Sequence, residues 1–310
     1  MKKILLATTM LAGTAGFAAA EVKITGSAEM GIWSNNAING NAVAGDDGVA
    51  FWQDVEVKFS MSGTTDGGLE FGAVIDLDET NVATNDDSGT SVYISGTFGK
   101  LTLGDTDGAL DWALADMDNG MTSIADDHST HIAFFGGNDM DGHGDNQVLR
   151  YENTFGAFGF AVSAEQLGDG LTGGDQSLGL GVKYTANLGG TDVALGLGYQ
   201  ADDVDSAVGV SASATFGGAF TGKIGYISFE DNAWDSHLGA ELTYVSGPIG
   251  VGINYGKVDL AAGGDFDSFG VVANYDLGGG AKVEFGYGSN VGNDGVGDVD
   301  QWSLGIGMSF

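Results

Sequence analysis

The chain has no cysteine and a single proline in 310 residues. Without cysteine there is no disulfide framework and no thiolate metal site. Basic residues are scarce as well. Lys and Arg number 10 against 43 Asp and Glu, a formal net charge of −33. So acidic a surface repels polyanions, which argues against nucleic acid as a partner. Beyond the first twenty residues no run is long and apolar enough to be a transmembrane helix. Glycine, by contrast, is abundant at 56 residues. Each interior glycine costs a helix roughly 1 kcal/mol, so a helical fold is disfavoured. The scarcity of proline and the lack of a strict glycine period exclude collagen. An apolar content of 43% is too high for a disordered chain.

The first residues read as a signal peptide. Lys2 and Lys3 precede an apolar stretch over 4–13, and Ala18, Ala19 and Ala20 supply small residues for cleavage. That stretch is shorter than the ~20 residues that span a bilayer, so it is not read as an anchor. Residues 21–310 are expected to form one domain outside the cytoplasm.

That domain alternates in hydropathy with period two, the signature of strands with one apolar face. Trp302, Leu304, Ile306, Met308 and Phe310 alternate with Gln301, Ser303, Gly305, Gly307 and Ser309. Val22, Ile24, Ala28, Met30 and Ile32 do the same near the start. Short turns alternate strictly with longer Asp-, Asn- and Gly-rich connections. Phe98-Gly99-Lys100, Gly189-Gly190 and Gly217-Gly218 are short; 34–49, 105–146 and 291–299 are long. The intervals define sixteen strands near 22–33, 50–62, 68–78, 90–98, 100–104, 147–155, 158–167, 177–188, 191–201, 206–216, 219–230, 236–246, 249–259, 266–277, 281–290 and 300–310. An even number of strands, most of them near the ~9–11 residues needed to cross a bilayer at a tilt, is the transmembrane β-barrel pattern. Closure would remove the sheet edges that lipid cannot satisfy. Eight strands would leave an interior filled by side chains, whereas sixteen leave an aqueous lumen. The small and polar inward positions would keep that lumen wet. The competing fold is a secreted acidic calcium-binding β-protein, as a sandwich or solenoid. A calcium-binding solenoid would repeat its Gly-Asp motif in tandem, and no such period is present.

Met61-Ser-Gly-Thr-Thr-Asp-Gly-Gly-Leu-Glu-Phe-Gly72, Ser95-Gly-Thr-Phe-Gly-Lys-Leu-Thr-Leu-Gly-Asp105, Tyr275-Asp-Leu-Gly-Gly-Gly280 and the terminal Phe310 resemble the general diffusion porins of alphaproteobacterial outer membranes. The resemblance covers essentially all of 21–310. It implies a homotrimer in the outer membrane of a Gram-negative bacterium, embedded in its lipid. It implies passive passage of ions and small hydrophilic solutes, with the third loop folded into the lumen as a constriction. Phe310 resembles the terminal signal read by the outer-membrane assembly machinery. A substrate-specific channel on the same barrel would differ by saturable flux.

The constriction loop is expected within 105–146. It carries Asp105, Asp107, Asp111, Asp116, Asp118, Asp126, Asp127, Asp139, Asp141 and Asp145, and no Lys or Arg. An acidic ring raises the local concentration of cations. Porins of the resembled family oppose such a loop with a basic cluster on the wall, and here the sequence departs from them. By strand parity Lys58, Arg150 and Lys183 point inward and are the candidate basic wall. So thin a wall predicts cation selectivity. Lys23 and Lys282 lie too near the turn end to reach mid-height. No cofactor is required, but Ca²⁺ takes ~6–8 oxygens. Asp126, Asp127, Asp139, Asp141 and Asp145 are the candidate ligands, and no EF-hand spacing is present. His128, His131 and His143 are read as surface or lumen side chains rather than metal ligands.

Trp33, Phe51, Trp52, Phe98, Phe155, Phe158, Tyr199, Phe216, Tyr244 and Trp302 are expected in interfacial girdles. Enzyme signals are poor. There is no Gly-x-Ser-x-Gly elbow. The run from Gly168 to Gly173 matches a dinucleotide motif but leads into a strand instead of a helix. The run from Gly217 to Lys223 approaches a phosphate loop, but Ile224 stands where Ser or Thr is required.

Overall fold

The computed structural model describes residues 20–34, 48–80, 89–118, 120–124, 131–136, 147–166, 176–289 and 300–310. Residues 1–19 of the expected signal peptide lie outside them. The described chain begins with β1 (Glu21–Ser34), β2 (Val49–Thr64), β3 (Glu70–Thr80), β4 (Thr90–Gly96) and β5 (Gly99–Gly104). A short helix α1 (Ala109–Ala113) precedes β6 (Val148–Phe155), β7 (Phe158–Gln166), β8 (Gln176–Leu188), β9 (Thr191–Ala201) and β10 (Ser206–Phe216). Then come β11 (Phe220–Glu230), β12 (Trp234–Ser246), β13 (Ile249–Leu260), β14 (Asp265–Gly278), β15 (Ala281–Gly288) and β16 (Gln301–Ser309). The strand boundaries fall within two residues of those drawn from hydropathy and turns.

Each strand pairs antiparallel with its sequence neighbours, and β1 pairs with β16 to close the barrel. The closing seam runs from Ser27 opposite Ser309 to Trp33 opposite Ser303. It is completed by the Phe310 N–H donating to the Gly26 carbonyl at 2.8 Å. Closure leaves no strand edge for lipid to desolvate, which is why strands can span a bilayer only in this form.

The outward face carries Leu178, Leu180, Val182, Leu195, Leu197, Val208, Val210 and Ile253, all exposed. In a water-soluble protein so continuous an apolar surface would drive aggregation. Here it is the lipid contact. At the short-turn end the outward aromatics pair around the rim. Phe158 packs on Tyr184 at 4.9 Å, Phe216 stacks on Phe220 at 5.7 Å, and Phe220 meets Tyr244 at 4.8 Å.

Two expected girdle residues are misplaced by the sequence reading. Trp33 and Trp52 are 7% and 4% exposed and pack edge-to-face inside the barrel at 5.0 Å. Trp52 donates its indole N–H to Glu29 at 3.0 Å. Successive side chains on a strand face opposite ways, so Phe51 and Trp52 cannot both face lipid. Phe51 takes the outer side, at 85% exposure.

Candidate functional site

The interior is more apolar than the alternation implies. Ala207, Ile227 and Phe229 face inward and form one buried cluster with Leu110, Leu114, Met117 and Phe135 from the segment between β5 and β6. This corrects the expectation of uniformly small or polar inward positions. Part of the inner wall is a hydrophobic seat, and the acidic segment carries the apolar side chains that fill it.

The segment leaves the wall at Gly104, whose φ of 127° suits glycine alone. It then follows the inner face round the barrel. The Ala109 N–H donates to Ser163 Oγ on β7 at 2.8 Å, and the Ala115 N–H to Ser211 Oγ on β10 at 3.0 Å. Asn254 Nδ2 on β13 donates to the Met117 carbonyl at 2.7 Å. Thr122 Oγ1 donates to Glu284 on β15 at 2.8 Å. Ile124 reaches Trp33 and Trp52. The chain returns at 131–136, where Phe135 accepts from the Met117 N–H at 2.9 Å.

His131 is a tether rather than a free lumen histidine. Its Nδ1 lies 2.6 Å from Ser268 Oγ and its Nε2 3.2 Å from Asn254 Oδ1. Ser268 Oγ also accepts from the Ala133 N–H at 3.1 Å, so the hydroxyl proton is free to go to His131 Nδ1. His131 Nε2–H then donates to Asn254. His237 Nε2, unremarked in the sequence, lies 3.0 Å from the Ala133 carbonyl. Burial pushes the His131 imidazole down to about 4, Asn254 opposing and His237 assisting. The undocked imidazole titrates near 6.5. Docking is therefore strongest above that pH and weakens as pH falls from about 6.5 to about 4. Amide exchange at Met117 and Ala133, corrected for intrinsic rates, should quicken on moving from pH 7 to pH 4.5. In His131→Gln that acid sensitivity should be lost.

Five inward bases are engaged with acids or rings. Lys58 Nζ lies 2.6 Å from Asp76 and 3.4 Å from Glu56. Arg150 is 3.2 Å from Asp107 and 2.9 Å from Glu152, and also donates to the Asp107 carbonyl at 2.7 Å. Lys183 Nζ stands 4.4 Å over the Trp112 ring. Lys58, Arg150 and Lys183 thus face inward as parity requires, but Lys58 and Arg150 each carry two carboxylates. Parity also places two further bases inside that the sequence reading passed over. Lys223 contacts Asp118 at 2.6 Å and the buried Glu241 at 3.2 Å, and donates to the Asp116 carbonyl at 2.8 Å. Lys100 Nζ lies 4.9 Å over Tyr93.

The acids keep contact with water. Asp107 and Asp118 are 57% and 53% exposed even though each is paired. Asp116 also reaches the lumen. Enclosure by the barrel pushes its carboxyl upward from the usual range, Asp118 adds to that, and Lys223 opposes it. Asp105 is exposed and Asp111 half-buried. Asp126, Asp127, Asp139, Asp141 and Asp145, with His128 and His143, lie outside the described residues. Among the described residues no group of three or more His, Asp and Glu is arranged to hold a metal.

A sixteen-stranded closed barrel with an apolar exterior and a charged, water-facing interior is the architecture of a membrane pore. A family model for Gram-negative porins matches residues 7–296. The chain belongs to that family. A porin of Rhodobacter capsulatus is 32% identical over 298 residues, 87% of this chain and 94% of that protein. A porin structure refined at 1.8 Å resolution superposes with a TM-score of 0.73 at 28% identity, over 94% of this chain and all of the other. A variant porin of Rh. blastica superposes at 0.72 with 15% identity, again over 94% and all of the two chains, a likeness of fold alone. The porin is thus an outer-membrane channel for passive diffusion of solutes, not an enzyme. The secreted calcium-binding reading falls with that membership.

Proposed function

We propose that this porin is cation-selective and that the segment between β5 and β6, described at 105–118, 120–124 and 131–136, forms its constriction. One observation carries the reading: three bases of the lumen are outnumbered by the carboxylates they contact. Lys58, Arg150 and Lys223 each hold two carboxylates, so each cluster is left with one net negative charge. Asp105, Asp111 and Asp116 add to the same sign. A unit charge ~7 Å from a passing ion in water is worth roughly 0.6 kcal/mol, about one RT. Several together make a clear preference, screened over ~10 Å at 0.1 M salt and ~3 Å at 1 M.

The test is the reversal potential of the purified porin in a planar bilayer under a KCl gradient. Ohmic steps with a cation preference are expected, and the preference should shrink as mean salt rises to 1 M. It should also weaken as pH falls from 8 to 6, because the raised carboxyl of Asp116 takes up a proton in that range. An anion preference would overturn the reading of the segment. Saturable flux would favour a substrate-specific channel.

We also propose a homotrimer. The outer face of β1, β2 and β16 bears a notch lined by Met30, Phe51, Val55, Leu304 and Met308 around the polar Gln53. A neighbouring subunit there would cover Phe51 and shelter Gln53 from lipid. Phe310, 79% exposed beside the closing seam, is well placed to be read by the assembly machinery. Residues 1–20 are proposed as the export signal.

A further inference from the structure

The docking seat has a feature that the pairing register exposes. Gly196 lies opposite Ser211, Ser211 opposite Gly225, Gly225 opposite Gly239, Gly239 opposite Gly256, and Gly256 opposite Ser268. One lateral row across six strands, β9 to β14, therefore presents only glycine and serine to the lumen. On the central strands the adjacent inward positions are larger: Lys223 and Ile227 flank Gly225, His237 and Glu241 flank Gly239, and Asn254 and Val258 flank Gly256. There the row is a groove one residue high; on β9 and β10 it widens, because Ala194, Gly198, Gly209 and Ser213 beside it are small as well.

Described parts of the segment between β5 and β6, around 113–117 and 133–135, occupy that groove. A Cβ on Gly196 would overlap the Ala113 carbonyl, and one on Gly256 would overlap that of Ala133. At Gly225 it would lie 2.5 Å from the Phe135 ring, and at Gly239 it would lie 2.6 Å from Phe135 Cγ, where ordinary contact begins near 3.4 Å. The two serines accept backbone N–H groups of the segment, from Ala115 and Ala133. Groove and segment thus meet through main chain and through hydroxyls, at the closest approach that a β-wall permits.

We propose that this Gly/Ser row sets the aperture of the pore. Its residues touch no solute, but they fix how deeply the constricting segment sits in the wall, and so how much lumen it leaves open. The inference rests on the reading of that segment as the constriction. A single added methyl at Gly196 or Gly256 cannot be absorbed by a flexible side-chain end, because it meets backbone. The segment must move into the lumen by on the order of 1–2 Å to restore contact distance. Replacing glycine by alanine inside a strand does not itself weaken the strand. The barrel should therefore still fold, as read by its heat-modifiable mobility on gels.

The experiment is single-channel conductance and sugar exclusion of Gly196→Ala, Gly256→Ala and the double variant. Ser213→Val is the control, since it adds inward volume on β10 in a cavity that no residue of the segment lines. The Gly256→Ala conductance should fall by roughly 1.5-fold or more and the double variant further, with a smaller exclusion limit; the control should match the parent. Unchanged conductance in the glycine variants overturns the proposal. Asp118→Asn, measured in parallel, separates the two readings. If it loses cation preference while the glycine variants conduct normally, the row fails and the constriction stands. If none of these variants changes anything, the constriction reading fails as well.

Discussion

Replacing Asp107, Asp111, Asp116 and Asp118 together by Asn should abolish most of the cation preference. Two of these acids pair with Arg150 and Lys223, so their loss also uncovers positive charge in the lumen. At about one RT per charge in water, each lost negative charge lowers the local cation enrichment roughly threefold. Screening reduces the sum, and a fall of about an order of magnitude in the cation-to-anion permeability ratio is expected at 0.1 M KCl. The reversal potential should approach zero or change sign, while conductance steps persist. A quadruple variant with the parent's reversal potential would show that the acids of this segment do not face the ion path. Arg150→Gln should act in the opposite direction by freeing Asp107 and Glu152, and so strengthen the cation preference.

The second large effect concerns the outer surface. Leu197 sits at the middle of β9 with its side chain on the lipid face, 51% exposed. Leu197→Arg should destabilise the membrane-inserted barrel by roughly 2–4 kcal/mol, the cost of a basic side chain near the bilayer midplane. In urea-driven refolding into vesicles, the midpoint should drop sharply and little protein should reach the folded band. Ser213→Arg, on the inward face of β10, should fold close to the parent because its charge meets water. Equal damage from both substitutions would contradict the assignment of the two faces.

The two experiments probe parts of the molecule that were unequally legible. Leu197 could be assigned from its neighbours, because alternation along a strand maps directly onto the two faces of a wall. The same parity placed Lys58, Arg150 and Lys183 inside. It could not say what each would meet. Lys223 finds Asp118, 105 residues earlier in the chain, and Lys183 finds Trp112, 71 residues earlier. Nothing local encodes those distances, which depend on where a docked segment comes to rest. The hint was compositional: Leu110, Leu114, Met117 and Phe135 are out of keeping with an otherwise acidic loop. Trp33 and Trp52 were misplaced because residue type outweighed parity, although Ile32 and Phe51 had already taken the outward positions.

The sequence by itself determined the wall. Period-two alternation, turns at fixed intervals and the absence of apolar helices leave a closed barrel as the arrangement in which every backbone group is paired in lipid. Sixteen strands then make the lumen wide enough for water. Only the tertiary structure decided how that lumen is divided. Parity tells which side of the wall a residue faces but not what covers it. The row from Gly196 to Ser268 becomes a groove only when six strands come into register. Arg150 and Lys223 meet Asp107 and Asp118 only when the segment between β5 and β6 lies against the inner wall.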